Sequence, residues 1–405
     1  AVGASVVDQD HVGIGFLEGF PIHQLGYETI FRVPARRLTR ERVEIHRERI
    51  VNTLLFRSVD RVPFGVGIGF FPWGTTLTRW QEESGISDLN VATYFGYDPG
   101  FDIVPIEYGP YPHFPSAMLE EGEEYIVYTD WRGLTVRNRR DGNTMPEFLD
   151  APVKSSEDWE QYKRERLSAD HDNDRLAGLE VFAACHKESA VPVQLGSFPW
   201  GVFGTVRDLL GTEEFLVGFC MFPDIIRDMM ETFTELWLRL YGRVTEVVRV
   251  DHIHIWEDMA GRNGSLISME MVESFMMPCY GRIVSFAREK GIPLVSVDSD
   301  GLVDQLVPVM RQHGINVYFP FEVQAGNDVL EYRKRYPDLG IIGGMDKNAL
   351  DEKAPLDALH RELDRAEQML AFGGYIPCFD HLIPPNVPWK KWEYCMDCMK
   401  KMIGV

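Results

Sequence analysis

The sequence predicts an α/β protein built as a (β/α)8 TIM barrel with an N-terminal extension and an inserted β-hairpin. Short apolar segments alternate with helical ones beyond residue 190, which is typical of parallel strands joined by helices. Polar or aromatic side chains follow these segments, and barrel enzymes collect their functional groups at that end of the strands. A length of 405 residues with 45% apolar composition is sufficient for one such domain.

The N-terminal part of the chain predicts an arm outside the barrel. Residues 1 to about 35 scatter glycine, proline and aromatic residues without a sustained period, so they form either an arm over the barrel or a neighbouring subunit, or a partly disordered tail; the extension as a whole is assigned to residues 1–45. The chain opens with Ala1 and not with methionine, which indicates a processed or partial chain. Residues 46–405 are assigned to the barrel, and apolar residues among the first 35 positions favour a homodimer.

The first barrel elements follow the arm. A charged helical pattern over residues 38–55 ends at Asp60-Arg61-Val62-Pro63, because proline interrupts a helix. The apolar run 64–71 predicts the first strand. Residues 123–140 alternate apolar and polar side chains around Trp131-Arg132-Gly133, which predicts an antiparallel hairpin that covers one side of the site.

The later strands are predicted from apolar runs, and each run leads into a group of functional side chains. The runs are residues 191–195, 253–256, 293–297, 317–321, 340–342 and 374–377. The groups that follow them are Ser197-Phe198-Pro199-Trp200, Glu257-Asp258, Asp298-Ser299-Asp300-Gly301, Glu322, Asp346-Lys347 and Asp380-His381. Because the carboxyl ends of parallel strands meet at one rim, these groups predict an active site there. A doubly wound sheet is not favoured, since only a weak G-x-G-x-G occurs, inside the first run.

Charge and composition restrict the partners. The chain has 62 acidic against 41 basic residues and a net charge of -21, so it repels nucleic acid and anionic membranes. A neutral or locally captured small molecule is the expected substrate. Six cysteines are too sparse for a disulfide scaffold, and no apolar run reaches the roughly 20 residues of a membrane span. With no basic leader followed by an apolar stretch, the expected location is the cytoplasm.

Several segments, in this order, resemble the uroporphyrinogen decarboxylase superfamily, which includes the heme-pathway decarboxylase and the cobamide-dependent methyltransferases. The segments are Arg47-Glu48-Arg49-Ile50, Asp60-Arg61-Val62-Pro63, Gly196-Ser197-Phe198-Pro199-Trp200, residues 251–260 with Ser268 and Pro278, residues 341–346 and residues 373–386. The resemblance spans residues 45–403 and implies a barrel with its active site at the carboxyl ends of the strands.

Two departures from the family change the expected chemistry. The decarboxylase holds substrate carboxylates with an R-Q-A-G-R loop, whereas this chain has Gly69-Phe70-Phe71-Pro72-Trp73-Gly74, so coproporphyrinogen production is not expected. Phe70, Phe71 and Trp73 instead predict a flat apolar or aromatic ligand. The family's thiol methyltransferases bind zinc through H-x-C and a later cysteine. The matching positions here are Asp298, Asp300 and His381, which lack thiolates.

The resemblance therefore implies a methyltransferase of the O- or N-demethylating type. It would move a methyl group from a small methoxylated, methylated or aromatic substrate to the cobalt of a corrinoid carried by a partner protein. Zinc held by Asp298, Asp300 and His381 would neutralise the leaving group, or His381 would protonate it directly. The alternatives are a decarboxylase or other lyase acting on a smaller aromatic acid, and a non-catalytic binding protein with the same fold.

The candidate site residues follow from these arguments. The catalytic candidates are His381, Asp298, Asp300, Asp258 and Glu257, and the substrate-binding candidates are Phe70, Phe71, Trp73, Tyr108, Phe198, Trp200, Glu322 and Asp346. Each has a structural alternative, since strand-end carboxylates often cap helices or form ion pairs and aromatic residues often pack in cores. His252 and His254 share one strand face, but their place at the strand start favours a structural role.

Overall fold

The computed structural model describes residues 40–141, 145–187 and 190–405. Most of the predicted N-terminal arm, up to residue 39, lies outside these residues. The strands are β1 Asp102–Ile103, β2 Ala117–Glu121, β3 Tyr125–Thr129, β4 Thr135–Arg139, β5 Glu147–Asp150, β6 Val193–Leu195, β7 His252–Trp256, β8 Ala260–Gly261, β9 Gly264–Ser265, β10 Leu294–Asp298, β11 Val317–Phe319, β12 Gly340–Met345 and β13 Tyr375–Phe379. The helices are α1 Arg40–Leu54, α2 Gly74–Ser84, α3 Val91–Phe95, α4 Ser156–Arg166, α5 Asp172–Arg175, α6 Leu179–His186, α7 Val202–Leu210, α8 Thr212–Met221, α9 Pro223–Thr245, α10 Met269–Met271, α11 Met277–Lys290, α12 Leu306–Gln312, α13 Val329–Arg335, α14 Leu356–Phe372 and α15 Trp389–Ile403.

A curled parallel sheet forms the centre of the fold. Its seven strands among the described residues follow the order β1-β6-β7-β10-β11-β12-β13, and every neighbouring pair is parallel. Every residue of β12 and β13 is buried, as expected for parallel strands covered on both faces. The carboxyl ends of these strands therefore lie along one edge, which positions the predicted functional groups close together.

The prediction of a first strand at residues 64–71 is wrong. This segment is irregular and contains a 3-10 turn, Ile68–Phe70, preceded by Gly67 with φ of 113°. A backbone at that φ cannot continue an extended strand. Gly69 packs directly against the backbone carbonyl of Phe379 in β13, so no side chain fits there. The described part of the chain consequently forms a seven-stranded, incomplete barrel and not a closed eight-stranded one.

The predicted hairpin at residues 123–140 forms the middle of a four-stranded antiparallel sheet, β2-β3-β4-β5. Asp130 shapes its turn by accepting hydrogen bonds from the backbone amides of Arg132 and Leu134 at 2.9 and 3.0 Å. The Arg132 guanidinium also contacts Asp208 in α7 at 3.0 Å. This ion pair ties the small sheet to the helix that follows β6, at the carboxyl end of the large sheet.

None of the helices in the described part of the chain is long and apolar enough to span a membrane.

Candidate active site

The curl of the large sheet brings His381 and Asp300 into contact. Asp300 follows β10 and His381 follows β13, three strands away in the sheet. Strands three steps apart in a flat sheet are separated by about 14 Å. His381 Nε2 nevertheless lies 3.0 Å from Asp300 Oδ2, a hydrogen-bond distance. The sequence placed both residues at the rim, and the structure joins them as a pair.

The second ring nitrogen of His381 has no hydrogen-bond partner in the part of the chain that the structure describes. Burial lowers the pKa of His381, but the hydrogen bond to Asp300 and its charge outweigh burial, so the net pKa is raised. The Nδ1 atom is buried and lacks a hydrogen-bond partner among the described residues. An unsatisfied buried polar atom costs about 1–3 kcal/mol, so a ligand that bonds to it would be favoured.

Asp298 is the last residue of β10 and faces His254 of β7. His254 Nε2 lies 3.7 Å from Asp298 Oδ2, and the two side chains are 15% and 17% exposed. Burial raises the pKa of Asp298 to about 6, His254 lowers it, and the charges of Asp300 and Asp258 raise it. At pH 7 the carboxyl group is therefore mostly ionised.

The side chains of Glu257 and Asp258, which follow β7, have different surroundings. Glu257 is fully buried and accepts hydrogen bonds from the backbone amides of Val202, Phe203 and Gly204 and from the Tyr280 hydroxyl, at 2.6–3.0 Å. Burial raises the pKa of Glu257 to about 7 against the effect of these four donors. Since its acceptor sites are used by the first turn of α7, this carboxylate holds the helix. It does not face the opening at the carboxyl ends of the sheet strands, which we call the mouth.

Asp258 has a φ of 45° and lies beside Arg207. Arg207 Nη1 donates to the Asp258 carbonyl at 2.5 Å and lies 3.4 Å from its carboxylate. The guanidinium also lies over the Trp256 ring at 5.3 Å. Burial raises the pKa of Asp258, Arg207 lowers it, and Asp300 raises it. The Arg207 cation is thus already paired with Asp258.

A cleft of about 320 Å³ opens beside Asp300. It is lined by Ala260, Gly261, Arg262, Asp300, Gly301, Glu322, Gln324 and Ala325. Glu322 Oε2 accepts from the Gly301 amide at 3.0 Å, so it lines the cleft and also holds the loop after β10. Asp346 instead accepts from the Asn348 amide and from Gln324 Nε2, and this bonding caps the 3-10 turn Lys347–Leu350.

The predicted aromatic contacts fall into two groups. The Phe70 ring is fully buried and packs against Phe64 at 5.8 Å, Tyr97 at 5.3 Å and Trp392 at 6.4 Å, which are core contacts. Phe71 is also buried and lies 6.0 Å from Tyr97. Trp73 is the N-cap residue just before α2 and is half-buried.

Phe198 and Trp200 lie nearer the polar groups. Phe198 packs edge-on against Trp256 at 4.8 Å, and Trp256 is the register partner of Asp298. Trp200 lies 5.8 Å from Trp131 in the hairpin turn. Tyr108 is buried, and its hydroxyl donates to the Val104 carbonyl at 3.0 Å. Phe198 is therefore the predicted aromatic contact placed next to the carboxylates.

The three predicted zinc ligands do not form a ligand set in this arrangement. His381 Nε2 bonds directly to Asp300, and no group of three His, Cys, Asp or Glu side chains among the described residues is arranged to hold a metal ion. Zinc binding by these residues stays a prediction.

Two residues near the mouth were not assigned to it from the sequence. His254 was expected to be structural because it lies near a strand start, but β7 has only five residues and the ring reaches Asp298. Arg262 lies in the turn between β8 and β9 and lines the cleft. The sequence signal for His254 was its place two residues before the end of a short strand. No sequence pattern marked Arg262.

Comparison with known proteins gives a likeness in fold. No protein-family model matches the chain, and no curated protein matches it. Among solved structures, the chain is similar to a methyltransferase from Methanosarcina mazei, with a TM-score of 0.56 and 15% sequence identity over 88% of this chain and 98% of that one. This likeness shows a shared α/β fold. The superfamily resemblance stays a prediction.

Proposed function

We propose that this protein is a methyltransferase that moves a methyl group from a small methylated molecule to a corrinoid carried by a partner protein. The observation that carries the proposal is the His381–Asp300 pair beside Asp298 at the carboxyl ends of the strands. The likeness in fold to a methyltransferase over 88% of the chain supports it. The corrinoid partner, zinc and a homodimer remain predictions within this proposal.

Methyl transfer requires a leaving group that departs without a full negative charge. The nucleophile attacks the methyl carbon, and the bond to oxygen or nitrogen breaks with its electron pair on the leaving atom. An oxygen leaving group of a methoxylated donor needs a proton, and Asp300 favours the protonated form of His381 because it raises the pKa of that ring. A nitrogen leaving group departs as a neutral amine when the methylated nitrogen already carries a positive charge.

The direct test mixes the purified protein with free cob(I)alamin and a panel of methylated donors. The panel contains methoxybenzene, methanol and trimethylammonium, and the measured signal is the absorbance change as methylcobalamin forms. We expect at least one donor to react well above the rate without protein. The Asp304→Asn variant is the matched control, because Asp304 pairs with Arg335 at 2.6 Å and not with the mouth. No methylcobalamin from any donor would refute the proposal.

A second candidate is a decarboxylase or another lyase. It is favoured by Arg262, which lines the same cleft as Asp300 and can bind a substrate carboxylate. Release of carbon dioxide from a small aromatic acid, without a corrinoid, would select this candidate. Loss of that release in Arg262→Gln would identify the arginine as the carboxylate-binding group.

A further inference from the structure

A cavity of about 770 Å³ opens at the amino ends of the sheet strands, and we call it the basal cavity. Among the residues that line it, Asp251 directly precedes β7 and Pro293 directly precedes β10. Because β7 and β10 are parallel, their amino ends lie along the edge opposite the mouth. The basal cavity is more than twice as large as the cleft beside Asp300. Small-molecule sites measure roughly 300–1,000 Å³, so this cavity has room for a second ligand.

The floor of the basal cavity is apolar. It is formed by the buried side chains of Val51, Ala190, Val248, Val250 and Ile292. These side chains belong to segments that are far apart in the sequence, so the fold and not a single loop shapes the floor. Apolar surface that lines a cavity binds the apolar part of a ligand, because such contact removes that surface from water. The floor therefore favours a ligand with an organic group over a bare inorganic ion.

The rim of the basal cavity is basic. Its exposed side chains include four cations, Arg57, Lys187, Arg249 and Lys290. Within the described part of the chain, Arg57, Lys187 and Lys290 form no ion pair with a carboxylate. Arg249 is 75% exposed, and its Nε lies 3.6 Å from Asp251 Oδ1, which is too long for a hydrogen bond. The hydrogen-bond donors of these cations are thus open to a ligand.

The acidic side chains of the cavity do not neutralise this rim. Asp251 is 1% exposed, and its Oδ2 accepts hydrogen bonds from Arg47 Nε at 2.8 Å and from the Val193 amide at 3.0 Å. Asp251 and Arg47 therefore offset each other, and Glu48 is the other carboxylate among the described lining residues. The chain as a whole has a net charge of -21, but exposed charges beyond about 8–10 Å are largely screened. The local excess of cations consequently favours an anion.

Helix ends give these cations a competing structural role. Lys290 lies in the last turn of α11, and Arg57 and Lys187 follow the ends of α1 and α6. A cation at the carboxyl end of a helix stabilises it by about 0.3–1 kcal/mol without any ligand. This effect explains each cation singly, but it does not explain why they surround an apolar floor. The two roles also differ in what they predict, since a helix-end cation contributes to stability and not to binding.

We propose that the basal cavity is a binding site for an organic phosphate, separate from the candidate active site. The phosphate group of the ligand contacts the cations of the rim, and its organic group lies on the apolar floor. A phosphate monoester carries close to two negative charges at pH 7 and three strong acceptor oxygens, so it can bond to several of these cations together. The guanidinium of Arg57 suits it, because two parallel N–H groups match two phosphate oxygens.

The test measures binding of three small molecules to the full chain by calorimetry in a chloride buffer. Phenyl phosphate has both required groups, inorganic phosphate lacks the ring, and benzyl alcohol lacks the phosphate. We expect phenyl phosphate to bind about tenfold more tightly than inorganic phosphate, because its ring buries apolar surface, and benzyl alcohol to bind more weakly still. No binding of phenyl phosphate would overturn the site. Equal affinity for phenyl phosphate and inorganic phosphate would overturn the role of the floor.

Variants of the rim locate the binding. Arg57→Gln and Lys290→Gln should each weaken phenyl phosphate binding about fivefold, since each removes one cation. Lys334→Gln is the matched control, because Lys334 is equally a surface cation but pairs with Glu331. It should bind like the unchanged protein. Full affinity in both rim variants, with a lower free energy of unfolding in urea, would show that these cations only stabilise helix ends and would overturn the proposal.

The proposed site and the proposed methyl transfer can fail separately. Asp300→Asn changes the mouth, at the opposite edge of the sheet, so it should leave phenyl phosphate binding unchanged. A loss of binding in this variant would place the ligand at the mouth and overturn a separate site. The absence of methyl transfer from every donor would refute only the proposed function.

Discussion

The molecule contains two aspartate–histidine pairs of the same chemistry in different settings. His186 at the end of α6 contacts Asp102 at the start of β1, with Nε2 and Oδ2 2.6 Å apart, and its Nδ1 lies 2.9 Å from the Phe182 carbonyl. His381 contacts Asp300 at the carboxyl ends of the strands, but its Nδ1 has no partner among the described residues. Both ring nitrogens of His186 bond to protein atoms, and we call this the saturated pair. His381 keeps one ring nitrogen for a ligand, and we call this the open pair.

The difference shows that the residue types alone do not identify a functional site. In both pairs burial lowers the pKa of the histidine, but the aspartate, together with the Phe182 carbonyl in the case of His186, more than compensates, so the pKa is raised in each. What separates them is the second partner of the imidazole. A pair whose two nitrogens are both bonded to protein atoms can only stabilise the fold.

The largest effect is expected at the open pair. Asp300→Asn removes the charge that raises the pKa of His381 and part of the negative potential at the carboxyl ends of the strands. Within the proposed function we expect kcat/KM for methyl transfer to fall about 100-fold or more. Asp102→Asn at the saturated pair should change this value less than about twofold. A similar loss in both variants would remove the distinction between the pairs.

Glu257 is a carboxylate whose two oxygens both accept hydrogen bonds from protein groups, so its role should be structural, like that of the saturated pair. Glu257→Ala leaves three backbone amides of α7 and the Tyr280 hydroxyl without their partner. We expect the free energy of unfolding to fall by about 3 kcal/mol or more. Urea denaturation measures this change. Glu331→Ala is the control, because Glu331 is exposed and pairs with the exposed Lys334, so its removal should cost under about 0.5 kcal/mol.

The saturated pair should contribute to stability without contributing to activity. His186→Phe keeps a ring beside Phe182, whose centroid lies 3.8 Å from that of His186, but it removes two hydrogen bonds. We expect a loss of about 1–2 kcal/mol in the free energy of unfolding, measured by denaturation at pH 6. An unchanged denaturation midpoint would show that these contacts do not stabilise the fold.

The smallest expected effect is the pH dependence of this contribution. The pKa of His186 is raised in the folded protein, so the folded state holds the proton more tightly than the unfolded chain. The stabilisation is therefore fully present below the unfolded pKa of about 6.5 and is lost as the pH rises through the folded value. Asp102→Asn should flatten this part of the stability curve. The same slope in both proteins would contradict the assignment.

Much of the central sheet could be predicted from the sequence. The runs 253–256 and 293–297 correspond to β7 and β10 within one residue, because apolar residues bounded by charged ones mark a short buried strand. The run 64–71 was equally apolar, but alternate glycines allowed a backbone that no strand can follow. Strands β2 and β5 were missed because they are exposed over their whole length and lack an alternating pattern.

The position of the candidate site could be predicted from the sequence, but the contacts between its residues could not. Strand-end patterns placed Asp298, Asp300 and His381 at one rim, which is where they lie. The inward turn of Glu257 depends on helix amides more than 50 positions away in the chain, and the facing of His254 and Asp298 depends on the register of β7 with β10. Such long-range geometry leaves no trace in local periodicity.

The alternate glycines after Pro63 have a consequence for mutational scanning. A side chain on Gly67 would meet the Cys378 sulfur at 2.6 Å, and one on Gly69 would overlap the backbone of Phe379. A saturation library should therefore recover almost only glycine at both positions, for lack of room and not for chemistry. In such a data set the segment would resemble an active-site motif, so intolerance to substitution alone is a poor guide to which residues of this protein react.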